Sequence, residues 1–264
     1  MANLISQVFK NKEKKLVTFV TGGDPDLNTS LEIIKIIIKN EADIIEIGMP
    51  FSDPMADGPT IQLSSNRAIS KGIDLENIFT LSSEAKKIKD DLPVILMGYY
   101  NLILHFGIEQ FVKKCKENGV DGLIIVDLQP EEDEDLINEL NDKHIDLIRL
   151  ITPTTDEERL KLILKNASGF LYYVSVMGIT GQKSADLNEL KKSVAVIKKH
   201  TNLPVVPGFG IKNSTDVNNI CKIADGAVVG SSIIKIIEEN LNNKDKMLSE
   251  INKFSKDLKD GTKV

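Results

Sequence analysis

The chain alternates between short apolar runs and longer segments with helical spacing. Eight runs of about six residues are nearly continuous in apolar side chains, and they span 16–21, 43–48, 93–98, 122–127, 146–151, 169–174, 203–208 and 226–230. Such runs are typical of parallel strands that are buried on both faces. Between them, apolar residues recur three and four positions apart, which predicts helices. The clearest helical series are Leu31, Ile34, Ile37 and Ile38; Phe111, Val112 and Cys115; and Leu160, Ile163 and Leu164.

Eight strands that alternate with helices predict a closed (β/α)8 TIM barrel of the α/β class, with extra helices at the N- and C-termini. The chain has 264 residues, which suits a single barrel domain over 1–264. An open doubly wound sheet is the alternative fold, and it normally carries a G-x-G-x-x-G turn after its first strand. Here Gly22-Gly23-Asp24-Pro25 follows that strand instead. We therefore favour the barrel, in which functional groups lie at the C-terminal ends of the strands.

The second strand and the loop after it carry two acidic residues. Because side chains alternate along a strand, Ile45 and Ile47 are expected to face the helices and Glu46 the barrel interior. A carboxyl group there is costly unless it is neutralised, hydrogen-bonded as a structural residue, or used in chemistry. Asp57 follows in an Ala-Asp-Gly-Pro sequence, where it could be a turn residue. Beside Glu46, it forms the second member of a carboxylate pair suited to acid–base catalysis.

Polar residues after the later strands predict an anion site. Gly208-Phe209-Gly210 follows the seventh strand, and Gly230-Ser231-Ser232 follows the eighth and begins a helix. Glycine lets the backbone approach an anion, and a helix N-terminus offers free N–H groups, so this is a candidate phosphate site. The glycine-rich segment 175–183 is interpreted as a lid. Asp127, at the end of the fourth predicted strand, could cap the next helix, orient a site group or contact substrate.

Composition narrows the chemistry. The formal charge is −6 with three arginines, which disfavours a nucleic acid or an anionic membrane as partner. Neither the two cysteines nor the three histidines have metal-ligand spacing, and no apolar run is long enough to span a membrane, so we expect a metal-free, cytoplasmic protein. No lysine lies in predicted strands two to eight, which argues against a Schiff-base aldolase. The chemistry that remains is acid–base catalysis by carboxylates on a phosphorylated small molecule.

These motifs resemble one known family over nearly the whole chain. The run IEIGMPFSDPMADGPTIQ at 45–62 resembles the diagnostic segment of the tryptophan synthase α subunit. Further matches occur in family order, and they are TGGDP at 21–25, YYN at 99–101, YYVS at 172–175, GITG at 178–181, GFGI at 208–211 and GS at 230–231. The resemblance implies cleavage of indole-3-glycerol phosphate to indole and D-glyceraldehyde 3-phosphate, a retro-aldol step of L-tryptophan biosynthesis that needs no cofactor in this chain.

The resemblance also implies residue roles. Glu46 matches the general acid/base that protonates the indole ring and takes up the hydroxyl proton of the glycerol chain. Asp57 matches the group that holds the indole N–H, and Tyr172 matches a tyrosine near the catalytic glutamate. The remaining matches are substrate-binding residues Phe19, Met97, Asp127, Thr180 and Phe209, and phosphate-binding residues Gly181, Gly210, Gly230 and Ser231. The family usually has proline where this chain has Gln129, a difference that affects the rim of the site.

By the same resemblance, the chain is expected to pair with a tryptophan synthase β subunit in an α2β2 tetramer. Pyridoxal phosphate is expected only in that partner, and Pro50, Asp53 and Asn101 fall where the family makes the contact. Two other functions stay open at this point. One is a sugar-phosphate isomerase or epimerase on a similar barrel, which would use Glu46 as a simple proton shuttle. The other is a mainly regulatory subunit.

Overall fold

The structure, a computed structural model, describes residues 3–141, 143–174, 183–208 and 210–264, without the side chains of 141 and 183–186. The strands are β1 (Lys15–Thr21), β2 (Ile44–Gly48), β3 (Val94–Gly98), β4 (Gly122–Ile125), β5 (Asp146–Leu147), β6 (Arg149–Ile151), β7 (Leu171–Val174), β8 (Val205–Gly208) and β9 (Gly226–Val229). The helices are α1 (Leu4–Val8), α2 (Leu27–Lys39), α3 (Pro59–Ser70), α4 (Leu75–Ile88), α5 (Tyr100–Phe106), α6 (Ile108–Glu117), α7 (Glu134–Asn141), α8 (Glu157–Leu164), α9 (Lys183–His200), α10 (Ser214–Cys221), α11 (Ser231–Glu239) and α12 (Lys244–Gly261). A 3-10 turn covers Pro130–Glu132.

All these strands form one parallel sheet, and the predicted (β/α)8 barrel is confirmed. The strand order is β5-β4-β3-β2-β1-β9-β8-β7-β6. Its two ends, β5 and β6, are halves of the single predicted strand 146–151, separated by Ile148. The sheet therefore returns to the same stretch of chain and closes. The predicted extra terminal helices are α1 and α12.

The floor of the barrel is a packed apolar layer. Each of the eight predicted strands contributes one inward side chain to it, and α1 covers it from below through Ile5, which is fully buried. The inward residues are Val17, Ile44, Ile95, Ile124, Ile148, Phe170, Val206 and Val228. Because this layer leaves the N-terminal half of the barrel filled, a ligand has room only towards the C-terminal ends of the strands.

The outer layer packs the helices on the sheet. Ile45 and Ile47 lie in this layer together with Ile33 and Ile34 of α2, as the strand alternation and the helical spacing predict. Asp26 begins α2 by accepting the backbone N–H of Thr29 at 3.0 Å, which satisfies one of the N–H groups left free at a helix start. The two cysteines, Cys115 in α6 and Cys221 in α10, are buried free thiols. No helix in the described ranges is long and apolar enough to cross a membrane.

Three aspartates form the same clamp at the N-terminal ends of the strands. Each stands immediately before a strand, accepts the N–H of a residue at the start of a neighbouring strand, and pairs with a lysine from a helix. The three sets are Asp43 with Leu16 and Lys259, Asp121 with Val94 and Lys86, and Asp225 with Val205 and Lys198. This repeated contact ties strand starts to the helix layer on the face opposite the cavity.

Candidate active site

A cavity of about 350 Å3 opens among the C-terminal ends of the strands. That volume lies within the usual range for small-molecule sites. The residues predicted for the site that line it are Phe19, Asp57, Met97, Tyr172, Gly210, Gly230 and Ser231. These seven residues converge on one pocket, although they come from six separate stretches of the chain, whereas Glu46 and Asp127 are not among the residues that line it.

Glu46 lies in the wall of the barrel at the level where the cavity meets the packed floor. Its register partners are Phe19 in β1, which lines the cavity, and Ile95 in β3, which belongs to the floor. The side chain is fully buried, and neither carboxyl oxygen has a hydrogen-bond partner among the described residues. Burial raises the pKa of Glu46 to about 8, because a charge is poorly solvated there. Glu46 therefore holds its proton at neutral pH and can act as an acid.

Asp57 lies in the loop between β2 and α3, at the cavity wall. Its Oδ2 accepts a hydrogen bond from the Tyr99 hydroxyl at 3.0 Å. Burial raises the pKa of Asp57, and the hydrogen bond from Tyr99 opposes that rise. The two carboxyl groups therefore sit in different surroundings: Glu46 among apolar groups, and Asp57 half-buried with a donor. Such a difference lets one group act as an acid while the other carries charge.

Tyr172 in β7 lies near both carboxyl groups. Burial of its hydroxyl, and then the charges of Glu46 and Asp57, raise the pKa of Tyr172. The ring lines the cavity, and it fills the space beside Gly208 in the neighbouring strand β8. A β-carbon at position 208 would overlap the Tyr172 hydroxyl. Gly208 was read from the sequence as part of the anion site, but the space it leaves is taken by Tyr172.

One end of the cavity is formed by the start of α11. The first N–H groups of a helix have no intrahelical acceptor, and Gly230, the residue before α11, has no side chain that could accept them. Gly210 and Ser231 line the same end, and Gly210 has a φ of +74°, a conformation that favours glycine. Exposed N–H groups at a helix start are suited to binding a phosphate group.

Asp127 is placed differently from the prediction. Strand β4 ends at Ile125, so Asp127 lies in the turn beyond the strand and not at its end. Its Oδ1 accepts the backbone N–H of Tyr100 at 2.8 Å, in the first turn of α5. Asp127 therefore caps the start of the preceding helix, and not the next helix as one of the three predictions had it, while its orienting and substrate-binding roles stay predictions. Asp127 and Gln129 line a second cavity of about 560 Å3 beside the first.

Three of the predicted site residues, Thr180, Gly181 and Phe209, lie outside the described residues, as does most of the predicted lid at 175–183. The residues predicted to meet a partner lie on the same rim as the cavity. Pro50 and Asp53 are in the β2–α3 loop, and Asn101 is in the first turn of α5. Asp53 and Asn101 are exposed, and Pro50 is half-buried.

Several cavity residues were not predicted from the sequence. They are Ala56, Gly58, Ile61, Val126, Leu150, Thr152, Val174, Ile211 and Val228. Most lie at or just after the C-terminal end of a strand, which is the one signal that could have found them. Tyr99 was also missed as a site residue, although it lies in the YYN motif at 99–101.

The fold and this site define a (β/α)8-barrel enzyme with two carboxyl groups, Glu46 and Asp57, and a helix start at Ser231 around the C-terminal ends of its strands. The family model described as tryptophan synthase alpha chain matches residues 5–263. The chain belongs to the tryptophan synthase alpha chain family.

Individual relatives agree over the full length. The chain is 47% identical over 255 residues to a tryptophan synthase alpha chain of Petrotoga mobilis, covering 97% of this chain and 98% of the relative. It is 44% identical to that of Geotalea uraniireducens over 264 residues, covering 100% and 98%. The crystal structure of tryptophan synthase subunit alpha from Legionella pneumophila str. Paris superposes with a TM-score of 0.91 at 33% identity, covering 99% of both chains.

Proposed function

We propose that this chain is a lyase that cleaves indole-3-glycerol phosphate to indole and D-glyceraldehyde 3-phosphate, with Glu46 and Asp57 as its acid–base pair. The observation that carries the proposal is the carboxyl group of Glu46, which is fully buried in the barrel next to the register position of Phe19, a residue that lines the mainly apolar cavity. The family and the fold favour the lyase over a sugar-phosphate isomerase. The apolar cavity does so as well, because an isomerase that works through an enediol intermediate needs no apolar slot of this kind.

The reaction requires a proton on the ring carbon that bears the glycerol chain. Because burial raises the pKa of Glu46 to about 8, this group carries the proton at neutral pH and donates it to that carbon. The ring becomes an indolenine cation. The Glu46 carboxylate then takes the proton of the chain hydroxyl, the carbon–carbon bond breaks, and its electrons return to the ring. The hydroxyl proton restores the protonated form of Glu46, and indole and the aldehyde leave.

Asp57 stabilises the cationic ring in this scheme. Its carboxylate accepts the indole N–H and carries the negative charge that the indolenine cation requires. The Tyr99 hydroxyl at 3.0 Å supports the ionised form of Asp57. Tyr172 completes this polar side of the pocket, while Phe19 and Met97 offer apolar walls to the ring.

The phosphate group is proposed to bind at the start of α11. Gly230 and Ser231 present backbone N–H groups there, and Gly210 lets the opposite loop approach closely. By family resemblance Gly181, Thr180 and Phe209 complete the closed site, but they lie outside the described residues. No residue in this scheme calls for a metal or an organic cofactor.

The test is release of indole from indole-3-glycerol phosphate by the purified chain. Glu46→Gln keeps the shape of the side chain but cannot shuttle a proton, so we expect kcat to fall by about 10²–10⁴-fold. Tyr173→Phe serves as a matched control, because Tyr173 faces the helix layer and not the cavity. A Glu46→Gln variant with a near-normal rate would remove Glu46 from the mechanism, and an inactive parent chain would remove the function.

We also propose a pyridoxal-phosphate β subunit as partner, in an α2β2 tetramer. Pro50, Asp53 and Asn101 share the rim with two exposed apolar side chains, Met55 at 85% and Leu104 at 53% exposure. Exposed apolar groups on a polar rim are typical of a protein contact. The cytoplasmic location and the single domain over 1–264 stay predictions.

The partner is tested by adding a matching β subunit to the indole-release assay. Stimulation of kcat, together with a tetramer mass, supports the pairing, and Leu104→Asp should weaken both. The Glu46→Gln variant is also added to the β subunit together with free indole. This assay measures a regulatory effect on the β subunit's reaction separately from the cleavage of indole-3-glycerol phosphate by this chain. An unaided chain with full activity and no complex would contradict the partner proposal.

A further inference from the structure

Tyr99 connects the end of β3 to the loop that carries Asp57. It follows β3 directly, and its side chain is 3% exposed. Its ring stacks on Phe51 of the β2–α3 loop, with centroids 5.0 Å apart and planes inclined by 29°. A rigid side chain thus reaches from the sheet to the loop. The sheet is held by hydrogen bonds between its strands, and the loop has no such strand pairing.

The Tyr99 hydroxyl makes two hydrogen bonds in that loop. It lies 3.0 Å from the backbone nitrogen of Ala56 and 3.0 Å from Oδ2 of Asp57. An amide N–H can only donate, so the hydroxyl accepts from Ala56. A phenol has a single proton, and that proton must therefore go to Asp57. The arrangement admits an ionised Asp57 as acceptor, and it fixes the position of the carboxylate in two directions.

The hydrogen bond from Tyr99 stabilises the ionised form of Asp57. In the ranges that the structure describes, no other side chain donates a hydrogen bond to the Asp57 carboxylate. Burial raises the pKa of Asp57, and the Tyr99 hydrogen bond acts against it. Burial also raises the pKa of Tyr99, so the hydroxyl keeps its proton over the working pH range. Tyr99 is thus a permanent donor to a half-buried carboxylate.

We propose that Tyr99 is a positioning residue that holds Asp57 ionised and aimed at the cavity during catalysis. Tyr99 does not line the main cavity, so it acts through Asp57 and not on the substrate. The proposal rests on the function proposed for Asp57 above, since only a charged Asp57 can stabilise a cationic ring. It adds to the site the residue that directly follows β3, the strand that already contributes Met97 to the cavity.

The test is Tyr99→Phe, which keeps the ring on Phe51 and removes only the hydroxyl. We expect kcat to fall about tenfold at pH 7 with a smaller change in KM, because the loss is in stabilising the transition state. Removing a donor to the ionised form raises the pKa of Asp57. The acid limb of the kcat/KM profile should therefore move to higher pH, and the deficit should be larger at pH 5.5 than at pH 7.5.

Two comparisons separate positioning from a structural effect. Tyr100→Phe, one residue along, removes a hydroxyl that does not bind Asp57, and it should leave the acid limb in place. In an Asp57→Asn background, adding Tyr99→Phe should cause no further loss of rate, since Tyr99 acts through the carboxylate. An unmoved acid limb in Tyr99→Phe, or an additive loss in the double variant, overturns the proposal.

A measurement independent of turnover distinguishes this proposal from the proposed function. The pKa of the Asp57 carboxyl can be followed by 13C NMR in the parent and in Tyr99→Phe. A higher pKa in the variant supports the inference, and an unchanged pKa contradicts it, whether or not the chain cleaves indole-3-glycerol phosphate. Loss of indole release in the parent, with the pKa shift intact, would count against the function alone.

Discussion

Gly208 in β8 has no side chain, and the hydroxyl of Tyr172, a residue of the neighbouring strand β7, occupies the space beside it. A β-carbon added at position 208 would overlap the hydroxyl and come within 2.5 Å of Cζ of the ring. The two residues lie on paired strands at the C-terminal end of the barrel, with Val174 opposite Gly208 in register. The position of a cavity-lining aromatic ring is thus set by the absence of a side chain on its neighbour.

Gly208→Ala should therefore displace Tyr172 and damage the site. Overpacking of this kind costs about 1–3 kcal/mol of folding free energy, and we expect kcat/KM to fall by at least tenfold as the ring moves. Thermal denaturation and indole release measure the two effects. Gly58→Ala is the matched control for stability alone, because its β-carbon would meet nothing within 4 Å and its φ is −72°, while the residue itself lines the cavity. Equal stability of the two variants would show that Tyr172 accommodates the extra carbon.

Glu46 predicts an unusual pH dependence of stability. Its pKa rises from the model-compound value of 4.5 to about 8 in the folded chain. Below pH 4.5 both states are protonated and the group has no effect. As pH rises from 4.5 to 8, the unfolded state ionises first, so the folded state loses stability relative to it, by up to a few kcal/mol.

Glu46→Gln removes this loss because the amide does not ionise. The variant should be about as stable as the parent at pH 4.5 and more stable at pH 8, while it is far less active. Urea denaturation at the two pH values checks the difference. A constant difference between variant and parent across this range would mean that Glu46 ionises normally in the folded chain.

The pair of Asp24 and Arg67 predicts an asymmetric response to mutation. The guanidinium binds both carboxylate oxygens, at 2.7 and 2.8 Å, and joins the loop between β1 and α2 to α3. Asp24 is 1% exposed, whereas the Arg67 side chain is 20% exposed. Removing the arginine leaves a buried charge without a partner, while removing the aspartate charge leaves a cation that can reach water.

Arg67→Met should therefore destabilise the chain by about 3–5 kcal/mol, and Asp24→Asn by less. Burial already raises the pKa of Asp24, and loss of Arg67 raises it further, so the Arg67→Met penalty should shrink as pH falls from 7 to 5. Urea midpoints at both pH values test this. A larger penalty for Asp24→Asn, or a penalty independent of pH, would contradict the assignment.

The aspartate clamps at the N-terminal ends of the strands should affect stability and leave catalysis intact. Asp121→Ala frees the N–H of Val94 and the ammonium of Lys86, and we expect a loss of about 1–3 kcal/mol. Asp225→Ala should cost less, because its side chain is 34% exposed against 16% for Asp121. Denaturant unfolding gives both values. A fall in kcat/KM for either folded variant would show coupling between the two faces of the barrel.

Much of the fold was determined by local sequence pattern. Eight apolar runs alternating with helical spacing predicted the barrel, because strands buried on both faces and amphipathic helices differ in period. The same period of two placed Glu46 inside and Ile47 outside β2 without knowledge of any partner. The start of α11 after Gly230 was also predictable from the sequence, whereas the anion site proposed there was inferred from this helix start together with Gly208 and Gly210.

Contacts between distant parts of the chain were decided only by the tertiary structure. Tyr99 and Asp57 are 42 residues apart, and nothing near either one indicates that the phenol would reach the carboxylate. The sequence around Gly208 suggested a turn or an anion site. Its role in leaving space for the Tyr172 ring became visible only when the structure placed that ring on the next strand. Asp127 shows why: its local pattern allowed several partners, and the choice among them depends on which groups the closed sheet brings within hydrogen-bond distance.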